Sequence, residues 1–191
     1  RVLTHEIMNT VTPIASLSET LSSYMEGKDA DSDVLAGLAT ISQSSRGLIK
    51  FVESYRNLTR VAAPVKKAFY VREMIDRVLQ LTSQQMSEAG TVCTYSERSD
   101  DILLYADESQ ISQILINLIR NACQAGAHKI EITSEIDPSD SVFIHVSNNG
   151  RPISKESREE IFVPFYTTKQ EGTGIGLSLS RQIMRLHNGT L

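Results

Sequence analysis

The sequence predicts an α+β protein in which an antiparallel helical hairpin precedes an α/β sandwich. Two long segments near the start carry apolar residues every three or four positions, which is the period of an amphipathic helix. Beyond Pro64, short strand-like and helix-like segments alternate. The chain has 191 residues, 40% of them hydrophobic, and is long enough to build a core in each part.

The first part is predicted to be two helices joined by a polar turn at residues 28–33. The apolar stripe of the first helix comprises Ile7, Val11, Ile14, Leu17, Leu21 and Met25. The stripe of the second helix comprises Val34, Leu38, Ile41, Leu48, Val52 and Tyr55. A lone hairpin cannot bury both stripes, so we expect a homodimer in which two copies form a four-helix bundle. This hairpin domain is expected over residues 1–61.

A linker at residues 62–67 is expected to lead into a second domain at residues 68–191. Its strands are predicted at residues 69–71, 91–96, 102–105, 129–136 and 141–147. Its helices are predicted at residues 73–89, 108–125 and 174–186. The polar stretch between the last strand and the last helix has the length of a lid or binding segment. Because the chain ends where a strand is expected to begin, we expect a fragment that lacks C-terminal strands.

Composition restricts the classes of function. The net charge of −4 disfavours a nucleic-acid partner, because proteins that bind the phosphate backbone carry a basic surplus. No apolar run approaches the roughly 18 residues that a transmembrane helix needs. We therefore expect a cytoplasmic fragment without direct membrane contact, although it could be the cytoplasmic portion of a membrane-bound sensor.

Two features predict a site for ATP and Mg²⁺. Asn117 and Asn121 lie four residues apart on one face of the predicted helix, and a carboxamide offers magnesium a neutral oxygen. About fifty residues later, a glycine-rich turn at a helix start would offer phosphates its backbone N–H groups. The turn consists of Gly172, Thr173, Gly174, Ile175, Gly176 and Leu177.

These motifs resemble those of the sensor histidine kinases, within the wider group of gyrase-like and Hsp90-like ATP-binding proteins. Residues 113–122 (QILINLIRNA) resemble the N box, residues 162–169 (FVPFYTTK) the F box, and residues 172–177 (GTGIGL) the second glycine box. The resemblance implies a Bergerat-type ATPase fold. It further implies that Asn121 coordinates Mg²⁺ with support from Asn117, and that Lys169 and the glycine turn hold the triphosphate.

The start of the chain resembles the phosphoacceptor motif of the same family (LTHEIMN, residues 3–9). His5 lies two residues before Ile7, or about 200° around a helix, so it should face away from the apolar stripe. Glu6 could hydrogen-bond the imidazole and increase its nucleophilicity. The resemblance implies phosphoryl transfer from His5 to an aspartate of a response-regulator receiver domain. Asn9 matches a position that supports phosphatase activity in many members.

The first glycine box departs from the family pattern, which is Asp-x-Gly-x-Gly. This chain has Asn148, Asn149, Gly150, Arg151 and Pro152 at these positions. The Asn148 carbonyl could still accept a hydrogen bond from the adenine amino group, so we expect weaker nucleotide binding through Asn148 and Gly150 rather than its loss. Pro152 should stiffen the start of the lid.

Two other functions stay open at this point. One is a dimeric, nucleotide-sensing signalling scaffold with weak catalysis, which the altered first glycine box would suit. The other, less favoured, is a hydrolysing ATPase of the gyrase or Hsp90 type. Those relatives carry a water-activating glutamate four residues before the metal-binding asparagine, where this chain has Asn117.

Overall fold

The structure, a computed structural model, describes residues 2–25, 32–59, 61–167, 169 and 173–191. Within the two N-terminal helices, the side chains of residues 2–6, 8–10, 32, 33, 50, 54 and 57–59 lie outside this description. The chain divides into two compact units, Arg1–Arg60 and Val61–Leu191. In the described part, no helix is both long enough and apolar enough to cross a membrane.

The first unit is a hairpin of two helices, α1 (Val2–Met25) and α2 (Ser32–Thr59). The residues buried between them are mostly small, namely Val11, Ala15, Ser18, Ser45 and Val52. Glu19 on α1 accepts a hydrogen bond from Arg46 Nε on α2 at 2.8 Å. Small residues let the two helices approach closely, but most of the large apolar residues of the predicted stripes remain exposed.

The second unit contains four helices and five strands among its described residues. The helices are α3 (Val71–Glu88), α4 (Glu108–Gln124), α5 (Ser157–Glu160) and α6 (Gly176–Leu186). The strands are β1 (Lys67–Tyr70), β2 (Val92–Glu97), β3 (Leu103–Ala106), β4 (Lys129–Ile136) and β5 (Val142–Asn148). Strands β1 and β3 form an antiparallel pair, while β4 lies between a parallel β2 and an antiparallel β5.

The core of the second unit forms where α3, α4 and α6 pack on one face of the three-stranded sheet. In β4, alternate residues are buried and exposed, as expected for a strand with one face on the core. The fully or almost fully buried side chains of this core include Met74, Ile75, Val78, Ile119, Ile130, Ile132 and Ile183. This layered packing holds α4 and α6 against each other.

Several element boundaries differ from the sequence prediction. Val71 begins α3 instead of ending a strand; it is fully buried, and its N–H donates to the Ile102 carbonyl at 2.9 Å. Lys67, expected in the linker, is the first residue of β1. The short helix α5 lies within the expected lid. Helix α6 begins at Gly176 rather than Gly174, because Gly174 has a φ of +66°, which is incompatible with a right-handed helix.

Asp107 connects three parts of the second unit. Its carboxylate caps α4 by accepting from the N–H groups of Ser109 (3.1 Å) and Gln110 (3.2 Å), and it also accepts from Val65 N–H at 2.8 Å. The hydrogen bond from the Ser109 hydroxyl, followed by that from Val65, lowers the pKa of Asp107. The Asp107 N–H donates to His187 Nε2 at 3.0 Å, so the start of α4 is tied to the end of α6.

Candidate functional site

Asn117 lies at the contact between α4 and α6 and is only 8% exposed. Its Nδ2 donates to Ser180 Oγ at 3.2 Å, and Ser180 Oγ donates to the Gly176 carbonyl at 2.9 Å. The other Asn117 amide atom, Oδ1, is buried and has no hydrogen-bond partner among the described residues. A Cβ added to Gly176 would lie 2.2 Å from this oxygen, so only glycine permits the observed approach.

The two asparagines of α4 occupy different environments, although they share a helix face as predicted. Asn117 is packed beneath the start of α6, whereas Asn121 is partly exposed. Asn121 Oδ1 accepts a hydrogen bond from Lys169 Nζ at 3.2 Å. The structure thus brings together the N-box residue Asn121 and the F-box residue Lys169, which are 48 positions apart in sequence.

Lys169 and three residues of α4 form a group that we call the cationic cluster, which comprises Lys169, Arg120, Asn121 and Gln124. Lys169 Nζ also donates to Gln124 Oε1 at 2.6 Å. Partial burial of the ammonium group, followed by the positive charge of Arg120, lowers the pKa of Lys169. Among the described residues, no carboxylate forms an ion pair with Lys169 or Arg120. The cluster therefore has positive charge that an anionic ligand could neutralise.

The F-box segment contacts the glycine turn and helix α6. Phe165 N–H donates to the Gly174 carbonyl at 3.0 Å, and both residues have positive φ values, +70° for Phe165 and +66° for Gly174. A Cβ on Gly174 would lie 2.4 Å from the Phe165 carbonyl carbon. Nearby, the Arg181 guanidinium lies over the Phe162 ring, 4.9 Å from its centroid. These contacts bring the F-box segment to the beginning of α6.

The remaining residues of the predicted glycine turn differ in exposure. Ile175 is buried and Leu177 is partly buried. Thr173 is exposed. Gly172 lies outside the described residues. Gly176 is the first residue of α6, where backbone N–H groups lack helical partners and suit phosphate oxygens.

The first glycine box forms a turn after β5. Asn148 Oδ1 accepts from Gly150 N–H at 3.0 Å, and Arg151 N–H donates to the Ala125 carbonyl at 2.9 Å. Asn149 Oδ1 instead accepts from the N–H groups of His128 and Lys129. The turn is therefore anchored to the C-terminal end of α4, one residue beyond the cationic cluster.

His5, Glu6 and Asn9 lie in α1 of the first unit, and their side chains fall outside the described part of the chain. Their predicted roles stay predictions. Arg120, Gln124 and Ser180 were not predicted as site residues. Gln124 could have been predicted, because it follows Asn121 by three residues and therefore lies on the same helix face. The contact of Ser180 with Asn117 crosses between two helices and had no local signal.

Comparison with known proteins defines the class to which this fold and site belong. Residues 106–191 match the family model described as histidine kinase-, DNA gyrase B-, and HSP90-like ATPase. The catalytic domain of histidine kinase ThkA is a similar solved structure, with 38% sequence identity and a TM-score of 0.57; the match covers 63% of this chain and 80% of ThkA's domain. The α+β architecture and the ATPase-type fold predicted from the sequence are confirmed.

Within that class, this chain belongs to the sensor histidine kinases, as its sequence motifs indicated. Sensor histidine kinase ZraS of Escherichia coli K12 is 27% identical over 188 residues, which are 98% of this chain and 40% of ZraS. A structure of ThkA in complex with response regulator protein TrrA is 27% identical, covers 98% of this chain and 55% of that chain, and has a TM-score of 0.66. The chain thus spans about two fifths of its curated relative.

Proposed function

We propose that this chain binds ATP with Mg²⁺, transfers the γ-phosphoryl group to His5 and then passes it to an aspartate of a response-regulator receiver domain. The observation that carries the proposal is the cationic cluster, in which Lys169 Nζ is held by Asn121 and Gln124 beside Arg120. The resemblance of residues 3–9 to the phosphoacceptor motif supports the choice of His5. The relative ThkA, solved in complex with a response regulator, supports the choice of partner.

The cluster fits the triphosphate of ATP in charge and position. Lys169 and Arg120 repel each other and have no carboxylate partner among the described residues, so bound phosphate groups would remove an unfavourable interaction. The start of α6 lies against the same helix through Gly176 and Asn117. Its backbone N–H groups would then bind phosphate oxygens together with Lys169.

The donor set also fits Mg²⁺ that arrives with the nucleotide. Asn121 Oδ1 and Gln124 Oε1 are neutral oxygen ligands that face one cation, the Lys169 ammonium group. Mg²⁺ is commonly held by a few protein oxygens together with substrate phosphates, and when bound it neutralises charge on the transferring phosphoryl group. We propose that Asn121 binds Mg²⁺, that Gln124 assists, and that Lys169 shifts its hydrogen bonds from these amides to phosphate.

The environment of Asn117 favours transfer to a histidine over hydrolysis. A carboxamide cannot accept a proton from water near neutral pH, and Asn117 is buried against Gly176 and Ser180. The acceptor would be a ring nitrogen of neutral His5, with Glu6 orienting the imidazole. We further propose that Asn9 orients water during dephosphorylation of the partner's aspartate.

The test of this function is incubation of the chain with γ-labelled ATP and Mg²⁺. We expect label on the protein that is lost in acid and stable in base, as for a phosphohistidine. The label should move to a purified receiver domain that is cognate to the chain. Nucleotide binding without label would favour the signalling scaffold, and release of phosphate without label would favour the ATPase.

We also propose that the first unit forms a homodimer. Several large apolar residues at helical spacing stay exposed in the hairpin. They include Ile14 (42% exposed), Leu17 (63%), Leu21 (48%), Val34 (45%), Ile41 (46%) and Leu48 (43%). Contiguous apolar stripes on a soluble helical hairpin are the kind of surface that a partner covers. A second copy presents the same stripes, so two hairpins could bury them together in a four-helix bundle.

We expect Leu17→Glu to convert the dimer to a monomer, because the charge would be buried in the bundle without a partner. Sedimentation velocity over a range of concentrations measures the change. Ser23→Glu is the matched control, because this exposed serine lies on a different face of α1 from Leu17. A wild-type chain that sediments as a monomer at all concentrations would contradict the proposal.

We expect Lys169→Ala to weaken ATP binding about tenfold or more, which is the usual scale for a charged hydrogen bond. Adenosine, which has no phosphate, should bind both proteins equally. Isothermal titration calorimetry measures both affinities. Lys129→Ala serves as the control, because this exposed lysine pairs with Glu131 on the sheet. Equal losses of ATP affinity in the two variants would show that only net charge matters.

A further inference from the structure

The end of helix α6 is joined to the start of helix α4 through the side chain of His187. We propose that neutral His187 is a positioning residue that holds α6 in register with α4, and that protonation of its ring releases this contact and weakens nucleotide binding. The inference rests on the proposed nucleotide site, which α4 and the start of α6 form together, and it adds a regulation of that site by pH.

The two hydrogen bonds of the His187 ring define its protonation state. A backbone N–H can only donate, so Nε2, which lies 3.0 Å from the Asp107 nitrogen, carries no proton. A backbone carbonyl can only accept, so Nδ1, which lies 2.9 Å from the Ile183 oxygen, carries the proton. The ring is therefore neutral and in its Nδ1–H tautomer. A second proton would sit on Nε2 and face the Asp107 N–H, so the charged ring cannot keep this hydrogen bond.

The contact lies at one end of a pair of antiparallel helices whose other end is at the proposed site. Asn117 follows Asp107 by about ten residues, or roughly 15 Å along α4. There it donates to Ser180 and meets Gly176 at the start of α6. The approach of Gly176 to Asn117 leaves no room for a Cβ, so a small shift of α6 would change it. His187 at the far end of α6 therefore helps to set this approach.

The surroundings of His187 make the Asp107 N–H the group that responds to protonation. The Asp107 carboxylate accepts from three backbone N–H groups and is not bonded to the ring. In the described part of the chain, none of the other charged side chains on the elements that meet here bonds to the ring; they are Lys66, Lys67, Arg77, Glu108 and Arg185. The charged ring would keep its Nδ1–H on the Ile183 carbonyl, so α6 would stay capped while its link to α4 is lost.

The test compares ATP affinities, measured by calorimetry with Mg²⁺, at about pH 7.5 and about pH 5.5, between which an imidazole changes its charge. His187→Gln has an oxygen that can accept from the Asp107 N–H and does not titrate, whereas His187→Leu has no acceptor. His145→Gln is the matched control, because it removes an exposed histidine of the same unit. Titration of ATP itself affects all proteins equally, and thermal unfolding at both pH values checks that each is folded.

We expect the wild-type chain and His145→Gln to lose about fivefold more ATP affinity on acidification than His187→Gln, which is the scale of one hydrogen bond. His187→Leu should bind weakly at both pH values, with no greater loss on acidification than His187→Gln. Equal losses in the wild-type chain and His187→Gln would overturn the inference and leave the proposed function intact.

Nitrogen-15 NMR of the histidine rings tests the protonation state without nucleotide. The signals of His187, identified by their absence in His187→Gln, should report the Nδ1–H tautomer at about pH 7.5. A ring protonated at Nε2 at this pH would overturn the inference, whatever the binding data show. Failure of the wild-type chain to bind ATP at either pH would overturn the proposed function, and with it the effect of His187 on binding.

Discussion

We expect His5→Gln to incorporate no acid-labile phosphate from ATP and to bind ATP as tightly as the wild-type chain. Glutamine retains polarity and helix propensity but has no basic nitrogen that can attack phosphorus. The ATP-binding motifs lie in the second unit, whereas His5 lies in α1 of the first. Incubation with γ-labelled ATP measures the phosphorylation, and calorimetry measures the binding.

The matched control for this variant is His145→Gln. His145 is exposed on β5, where Nε2 lies 3.2 Å from Glu135 Oε1, and it has no proposed role in the chemistry. The His145→Gln variant should be labelled as fully as the wild-type chain. Acid-labile label that persists in His5→Gln would place the acceptor elsewhere, and loss of ATP binding in this variant would show that the two effects are not separable.

The parts of the fold that could be predicted from the sequence are those set by local pattern. Strand β4 begins and ends where predicted, because polar and apolar residues alternate over its first half and every second residue from Ile130 to Ser134 is buried. Helix α4 also agrees within one residue, since Asp107 caps its start and its apolar residues follow the helical period. The predicted start of α6 was two residues too early, because the conformation of Gly174 depends on its contact with Phe165.

The candidate site was only partly predictable, for a similar reason. The residue types and their order along the chain identified the motifs, but the contacts between motifs are tertiary. Nothing near Asn117 in the sequence indicates that it is buried under Gly176. Likewise, the hydrogen bonds of Lys169 to Asn121 and Gln124 join residues 48 and 45 positions apart. Lys169 was therefore predicted to meet phosphate, but its amide partners were not.

We expect Gly176→Ala to destabilise the second unit and to weaken ATP binding. The added Cβ would lie 2.2 Å from Asn117 Oδ1 and 2.8 Å from Asn117 Cγ, which is far inside normal contact distance. Relief of such an overlap in a packed region costs about 1–3 kcal/mol of unfolding free energy. A loss of unfolding free energy would be informative, because replacing glycine with alanine in an unobstructed helix stabilises a protein by about 0.5–1 kcal/mol. Urea unfolding measures the stability, and calorimetry measures ATP affinity.

A double-mutant cycle identifies the contact responsible. All three nearest atoms to the added Cβ belong to the Asn117 side chain, so Asn117→Ala should remove the overlap. We expect the double variant to be more stable than the sum of the single changes predicts, with a coupling energy of about 1–3 kcal/mol. ATP binding should not recover, because Asn117 would no longer support Asn121, the proposed magnesium ligand. Additive losses of stability would show that α6 does not rest on Asn117 as the structure describes.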